Sequence, residues 1–196
     1  MRTQNKHFKY LTKKQLDKLF KSIESSRVFN KYYLRDLALF NLAYYCGLRI
    51  SELSLIKLDQ YNKDIGEIYI KRLKGSNNST ITLDNKRRLL LNKYIREYNI
   101  KDDNELLFKS KSGNILNKSN IEFLVKKYKE LSGLESFHFH MLKHSIAVHL
   151  LEIGVDIFAL KNYLGHKSID STMVYASFSS LMNKEIFNKI NTNGLV

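Results

Sequence analysis

The segment "FHFHMLKHSIAVHLLEIGVD", residues 137–156, puts three histidines and a lysine into eight positions and runs straight into an apolar stretch. His140 and His144 are four apart, so on a helix they share a face. That is the spacing of the His-Glu-x-x-His metalloprotease helix, but Met141 stands where that motif needs glutamate. His138 is a third candidate ligand, yet no cysteine is near and no carboxylate is suitably spaced, so no metal is expected. Two readings stay open. The histidines are either buried and hydrogen-bonded, the preferred reading for His144 and His149, or part of a grip on phosphate.

The phosphate reading draws in residues from elsewhere in the chain. Arg49 follows Gly47-Leu48 at the end of an apolar helix and precedes Ser51-Glu52-Leu53, where a guanidinium could hold two phosphate oxygens. Lys74 sits at the bend of a hairpin, which can reach into a groove. His166 follows Leu164-Gly165, and Tyr175 comes nine residues later. Each has a plain structural explanation: a charge at a helix C-terminus, a turn lysine, a capping histidine, a packed aromatic.

Composition points to a partner. Lysine and arginine exceed acidic residues by 33 to 19, a formal charge of +14 spread along the whole chain rather than gathered in a tail. A polyanion relieves such self-repulsion, and the distribution suits a folded face against nucleic acid. No apolar run approaches the roughly 18 residues of a membrane span, and residues 1–9 lack a signal-peptide core. Cys46, the single cysteine, lies in an apolar run and reads as core, which excludes a disulfide scaffold and suits a cytoplasmic setting.

The 196 residues organise as one mainly α domain with a small antiparallel β-sheet. Thr12 opens a helix with Gln15 three residues on, and Leu16, Leu19, Phe20 and Ile23 recur at helical spacing. Residues 31–46 read as a second helix ended by Gly47, with a short helix around 51–57. "GEIYIKRLKGSNNSTITL", residues 66–83, alternates on both sides of a turn and reads as a β-hairpin. Asp84 and Asn117 are N-caps of two further helices. Helices over roughly 141–153, 157–164 and 171–178 follow, with a last one over 179–190.

Taken in order, these segments resemble the tyrosine recombinases, the phage-integrase family, from about residue 9 onward. "LTKKQLDKLF" is similar to the family's opening helix and "YYCGLRISELSLIKL" to its first arginine box. "LKGSNNSTITL" fills the place of its lysine hairpin, and "HMLKHSIAVHLLEIGVDIFALKNYLGHKSIDSTMVYASF" matches its second box nearly throughout. The resemblance implies the tyrosine recombinase catalytic-domain fold, with a core over about 9–178 and a C-terminal exchange helix or tail over 179–196.

It also implies the chemistry. Tyr175 would attack a DNA phosphodiester to leave a 3′-phosphotyrosine and a free 5′-hydroxyl, with no cofactor and no metal. Arg49, Lys143 and His166 would neutralise the transition state. His140 would transfer protons near the nucleophile, Lys74 would protonate the leaving oxygen, and Glu52 would orient the basic groups. The implied partners are double-stranded DNA, a homo-tetramer on paired sites and accessory DNA-bending proteins, at the nucleoid rather than a membrane.

Two departures matter. Most members carry arginine where this chain has Lys143, and lysine lacks the two-pronged fork. Only about ten residues precede the catalytic region, so no N-terminal core-binding domain is expected. That suits a short, catalytic-domain-only member, such as an Xer-like protein or a fimbrial invertase, or a fragment. The alternative function is a DNA-binding regulator of the same fold with weak or no catalysis.

Overall fold

A computed structural model describes residues 9–73 and 75–176. Its elements, in chain order, are α1 (Lys13–Ser25), α2 (Tyr33–Tyr45), α3 (Ile50–Leu53), β1 (Tyr61–Asn62), β2 (Glu67–Ile70), β3 (Ser79–Thr82), α4 (Asn85–Glu97), α5 (Lys118–Ser132), α6 (His140–Glu152), α7 (Ile157–Leu164) and α8 (Asp170–Met173). The expected mainly helical domain with a small antiparallel sheet is what forms. No helix among the described residues is long and apolar enough to cross a membrane.

Local chemistry explains most boundaries. The Thr12 hydroxyl accepts from the Gln15 amide while the Gln15 side chain accepts from Thr12 N–H, closing the capping box of α1. The Asp84 and Asn117 side chains cap α4 and α5 in the expected way. Residues Leu34 to Tyr44 of α2 are buried on every side. A helix buried all round belongs at the centre of a domain, and α1, α4 and α6 pack around this one.

Three expectations change. The helix expected over 51–57 stops at Leu53, because the chain then turns to pair with residues 105–107. There Leu58 N–H donates to the Glu105 carbonyl and Leu107 N–H to that of Ile56. The hairpin gains a third strand, β1, against β2, in the order β1-β2-β3. The helix expected over 171–178 ends at Met173, and Tyr175 lies in the turn that follows, its N–H donating to the Thr172 carbonyl. Lys74 and the segment 179–196 lie outside the described residues.

The hairpin is seated on the end of α7. Gly165 takes the left-handed conformation, φ +69°, and its carbonyl accepts from Asn77 N–H at 2.8 Å. A Cβ at Gly165 would stand 2.4 Å from the Asn77 carbonyl oxygen and 2.9 Å from Arg72 Cγ. Gly133, which ends α5 at φ +63°, has no such neighbours. Alanine at Gly133 therefore costs only the left-handed backbone, about 1–2 kcal/mol. Alanine at Gly165 adds a backbone collision, about 1–3 kcal/mol more. Denaturant titrations of both variants check this; equal losses would mean that the hairpin does not press on Gly165.

Candidate active site

Arg49 stands immediately before α3, with extended backbone, and is tied to Glu52 twice. Its Nη1 donates to Glu52 Oε1 at 2.7 Å and its backbone N–H donates to Oε2 at 2.8 Å. Glu52 is 2% exposed. Burial alone would push its carboxyl up, but the Arg49 amide, the Arg72 charge, the Arg49 side chain and Lys143 outweigh it and hold the group below its ordinary range. The carboxylate is therefore ionised at neutral pH.

Arg72 was not singled out from the sequence, yet it is the most fully bonded side chain of the site. Its Nη1 donates to the Gly47 carbonyl at 3.1 Å and to Glu52 Oε2 at 3.3 Å. Its Nη2 donates to the carbonyls of Cys46 at 2.9 Å and Tyr163 at 3.0 Å, and its Nε to Ser79 Oγ at 3.3 Å. A signal was present. Ile68 and Ile70 are buried, and the two-residue period of a strand places Arg72 on that same inward face.

α6 brings the histidines and lysine in from the other side. Lys143 is 1% exposed, and its Nζ donates to the Leu164 carbonyl at 3.2 Å. Burial, with the charges of Arg72 and Arg49, pushes its pKa down to about 7. His166 follows α7, is buried, and pairs its Nδ1 with Thr172 Oγ1 at 2.9 Å. Burial and the charges of Lys143, Arg49 and Arg72 push it down to about 4.

Tyr175 is buried beside these groups. Its ring lies nearly parallel to that of His166, 6.4 Å between centroids and 12° between planes. Its hydroxyl lies 3.0 Å from His144 Nδ1, and burial pushes the phenol up to about 12 against the charge of Arg49. His144, expected to be a core histidine, is thus half-buried in the site itself. His140 stands exposed at the start of α6 with its ring edge-on to His144, at 4.5 Å. His149 behaves as expected, buried with Nδ1 2.9 Å from the Tyr44 hydroxyl. Tyr163, the other tyrosine near this pocket, donates its hydroxyl to the Tyr45 carbonyl.

The structure therefore gathers Arg49, Glu52, His140, Lys143, His166 and Tyr175, and adds Arg72 and His144. Arg49 and His140 open onto a cleft of about 720 Å³ lined also by Lys118, Asn117 and Ser51 and by the apolar Leu55, Ile115 and Phe139. Among the described residues, no set of three His, Cys, Asp or Glu side chains is gathered to hold a metal ion. Arg49, Lys143 and the histidines around the buried Tyr175 phenol form a set that can hold an anion beside a hydroxyl.

A family model described as "Phage integrase family" matches residues 9–180. The chain belongs to the phage integrase family. It is 31% identical over 168 residues to the tyrosine recombinase XerA of Thermococcus kodakarensis, covering 85% of this chain and 57% of that protein. It resembles the XerH site-specific recombinase solved in a post-cleavage complex with palindromic difH substrate. There the TM-score is 0.79 at 26% identity, covering 94% of this chain and 54% of that one. The catalytic domain of bacteriophage HP1 integrase shares the fold, with a TM-score of 0.64 at 22% identity over 94% of this chain and 98% of that one. The chain thus spans a little over half the length of the Xer proteins it matches.

Lys143 generates a prediction that needs no DNA. Its folded pKa, about 7, lies below the ordinary 10.5, so the unfolded chain holds the extra proton between those values. The penalty of burying the ammonium is full below about pH 7 and fades as pH rises toward 10.5. Lys143→Met, an apolar chain of similar length, should be more stable than the wild type at pH 6, by a margin that shrinks as pH rises. Denaturant midpoints across pH 6–10 check this, and a margin that does not change with pH would mean that the lysine is not held low.

Proposed function

We propose that this chain is the catalytic part of a site-specific DNA recombinase that cleaves and rejoins DNA through a 3′-phosphotyrosine. The observation that carries the reading is the Tyr175 hydroxyl, buried against His144 and His166 in a pocket whose cations include Arg49, on a chain of the phage integrase family. The Tyr175 oxygen attacks phosphorus, the bond to the 5′-oxygen breaks, and the new phosphotyrosine conserves the energy of the broken diester. A free 5′-hydroxyl reverses the step on the exchanged strand.

Each group has a task in this reading. His144 takes the phenolic proton as attack proceeds, with His140, the next ring along, continuing the proton path. Burial, helped by neighbouring positive charge, holds these imidazoles low, and a phosphodiester anion offsets the part due to charge. Arg49 donates to the non-bridging oxygens, held in line by Glu52. In the tautomer whose Nδ1 accepts from the Thr172 hydroxyl, neutral His166 presents an N–H at Nε2 to the same oxygens. Lys143 sits behind them, and a docked anion favours its protonated form. Lys74 protonates the departing 5′-oxygen.

Double-stranded DNA is the partner that fits the +14 charge, and the similarity to the XerH site-specific recombinase bound to palindromic difH substrate supports this. We further propose a tetramer on paired sites at the nucleoid, with accessory bending proteins assisting.

A nicked suicide substrate tests the reading, because loss of the short leaving strand traps the covalent complex. The wild type should give an SDS-resistant adduct, and Tyr175→Phe none, with DNA affinity unchanged. DNA binding without any adduct would instead identify a non-catalytic regulator, and an adduct in the Phe variant would dismiss Tyr175 as nucleophile. Binding should also weaken with salt by about 0.9 log units per log unit for each phosphate neutralised. A flat salt response would count against a DNA partner.

A further inference from the structure

The backbone that carries His166 is fixed by the end of α7. Gly165 N–H donates to the Asn162 carbonyl at 3.1 Å and His166 N–H to the Lys161 carbonyl at 2.9 Å. This paired closure of the helix leaves the imidazole only its own side-chain rotations. Those are settled from six residues further on. Thr172, in α8, is 0% exposed, and its hydroxyl lies 2.9 Å from His166 Nδ1. The turn between them is closed by Ser168, whose Oγ donates to Asp170 Oδ2 at 2.8 Å and accepts from Asp170 N–H at 3.1 Å.

The chemistry of this partner matters as much as its position. An imidazole that holds an anion must present N–H, and with Nδ1 taken by Thr172 the nitrogen left for a phosphate is Nε2. A carbonyl or carboxylate beside Nδ1 only accepts. It would draw the single proton of a neutral ring to Nδ1 and leave a lone pair at Nε2. A hydroxyl plays either part. It donates to Nδ1 while the ring is neutral, the state favoured by burial and the charges of Lys143, Arg49 and Arg72. It turns to accept from Nδ1–H if the ring gains a second proton, so Nε2 carries N–H in both states. Thr172 has one further tie, its carbonyl, which accepts from Tyr175 N–H at 2.9 Å. That bond belongs to the backbone and does not need the hydroxyl.

We propose that Thr172 is a positioning residue for strand cleavage, its hydroxyl orienting the His166 ring and keeping N–H at Nε2, the donor to the non-bridging oxygens. The inference rests on the recombinase reading, in which His166 holds those oxygens. It makes a demand that simple structural support does not. Whatever the hydroxyl contributes to cleavage must pass through the imidazole and vanish when the imidazole is gone.

The experiment is a double-mutant cycle on the nicked suicide substrate. It reads the single-turnover rate of adduct formation at saturating protein, with DNA affinity measured alongside. The proteins are wild type, Thr172→Val, Thr172→Ser, His166→Phe and the combined Thr172→Val, His166→Phe. Valine keeps the branched shape and replaces the hydroxyl by a methyl; phenylalanine keeps a ring beside Tyr175 and removes both nitrogens. Melting curves establish that each variant is folded at the assay temperature, and should Thr172→Val melt too low, Thr172→Ala takes its place in the cycle. His166→Phe should slow cleavage about 100-fold, the loss of one transition-state donor. Thr172→Val should slow it about 10-fold, because the donor remains but is no longer held in line, and Thr172→Ser should stay within about threefold of wild type. DNA affinity should be unchanged throughout. In the combined variant the rate should match that of His166→Phe within about twofold, as expected of residues that act as one unit.

A further loss of the same size in the His166→Phe background would place the role of Thr172 in the turn that carries Tyr175 and overturn the inference. Wild-type rates in Thr172→Val or His166→Phe, or a Thr172→Ser as slow as Thr172→Val, would also overturn it while leaving the recombinase reading intact. A wild-type chain that forms no adduct overturns that reading, and the inference falls with it.

Discussion

The carboxylate of Glu52 lies between two guanidiniums, Arg49 at 2.7 Å and Arg72 at 3.3 Å, with the Glu52 and Arg72 side chains sealed from solvent. Such a triad is costly to desolvate, and removing Glu52 would leave the buried Arg72 guanidinium without a counter-charge, at about 3–5 kcal/mol. Its worth lies in position more than in stability. Arg49 belongs to the turn after α2, Arg72 to the hairpin, and through the Tyr163 carbonyl the triad reaches the end of α7. Three of the parts of the chain that supply the site are thereby held in one arrangement.

That arrangement concentrates positive charge where little water reaches. The consequence is visible in the groups around it. His166 is driven to about 4 and Lys143 to about 7, while burial holds the Tyr175 phenol at about 12. The resting pocket therefore keeps its imidazoles neutral and the Tyr175 phenol protonated. A phosphodiester brings the opposite charge into the same low-dielectric space, where its effect on each of these groups is greatest. In the proposed reaction, such a pocket is primed by the phosphodiester itself.

Lysine at position 143 asks for fewer acceptors than the family's arginine would. A guanidinium there would need several acceptors, and the structure gives Lys143 the Leu164 carbonyl at 3.2 Å. The buried guanidinium of this site is supplied instead by Arg72, whose five donors are all matched. Charge near the pocket is thus set by more than one element of the fold, and a reading confined to the second box would undercount it.

Much was legible in the residues alone. The helices with side-chain caps, Thr12, Asp84 and Asn117, were found because capping is local chemistry. The hairpin followed from alternation, and Arg49, Glu52, His140, Lys143, His166 and Tyr175 from the order of their motifs. What stayed hidden depends on partners far away in the chain. His144 read as a core histidine until Tyr175, 31 residues on, came to its Nδ1. The end of α3 depends on residues 105–107, and the whole role of Arg72 on acceptors as distant as Tyr163, 91 residues away. Sequence specifies which groups are present and the local helices and turns that carry them. Only the tertiary structure decides which groups share a desolvated space, and so which are neutral, which are charged and which hold the others in place.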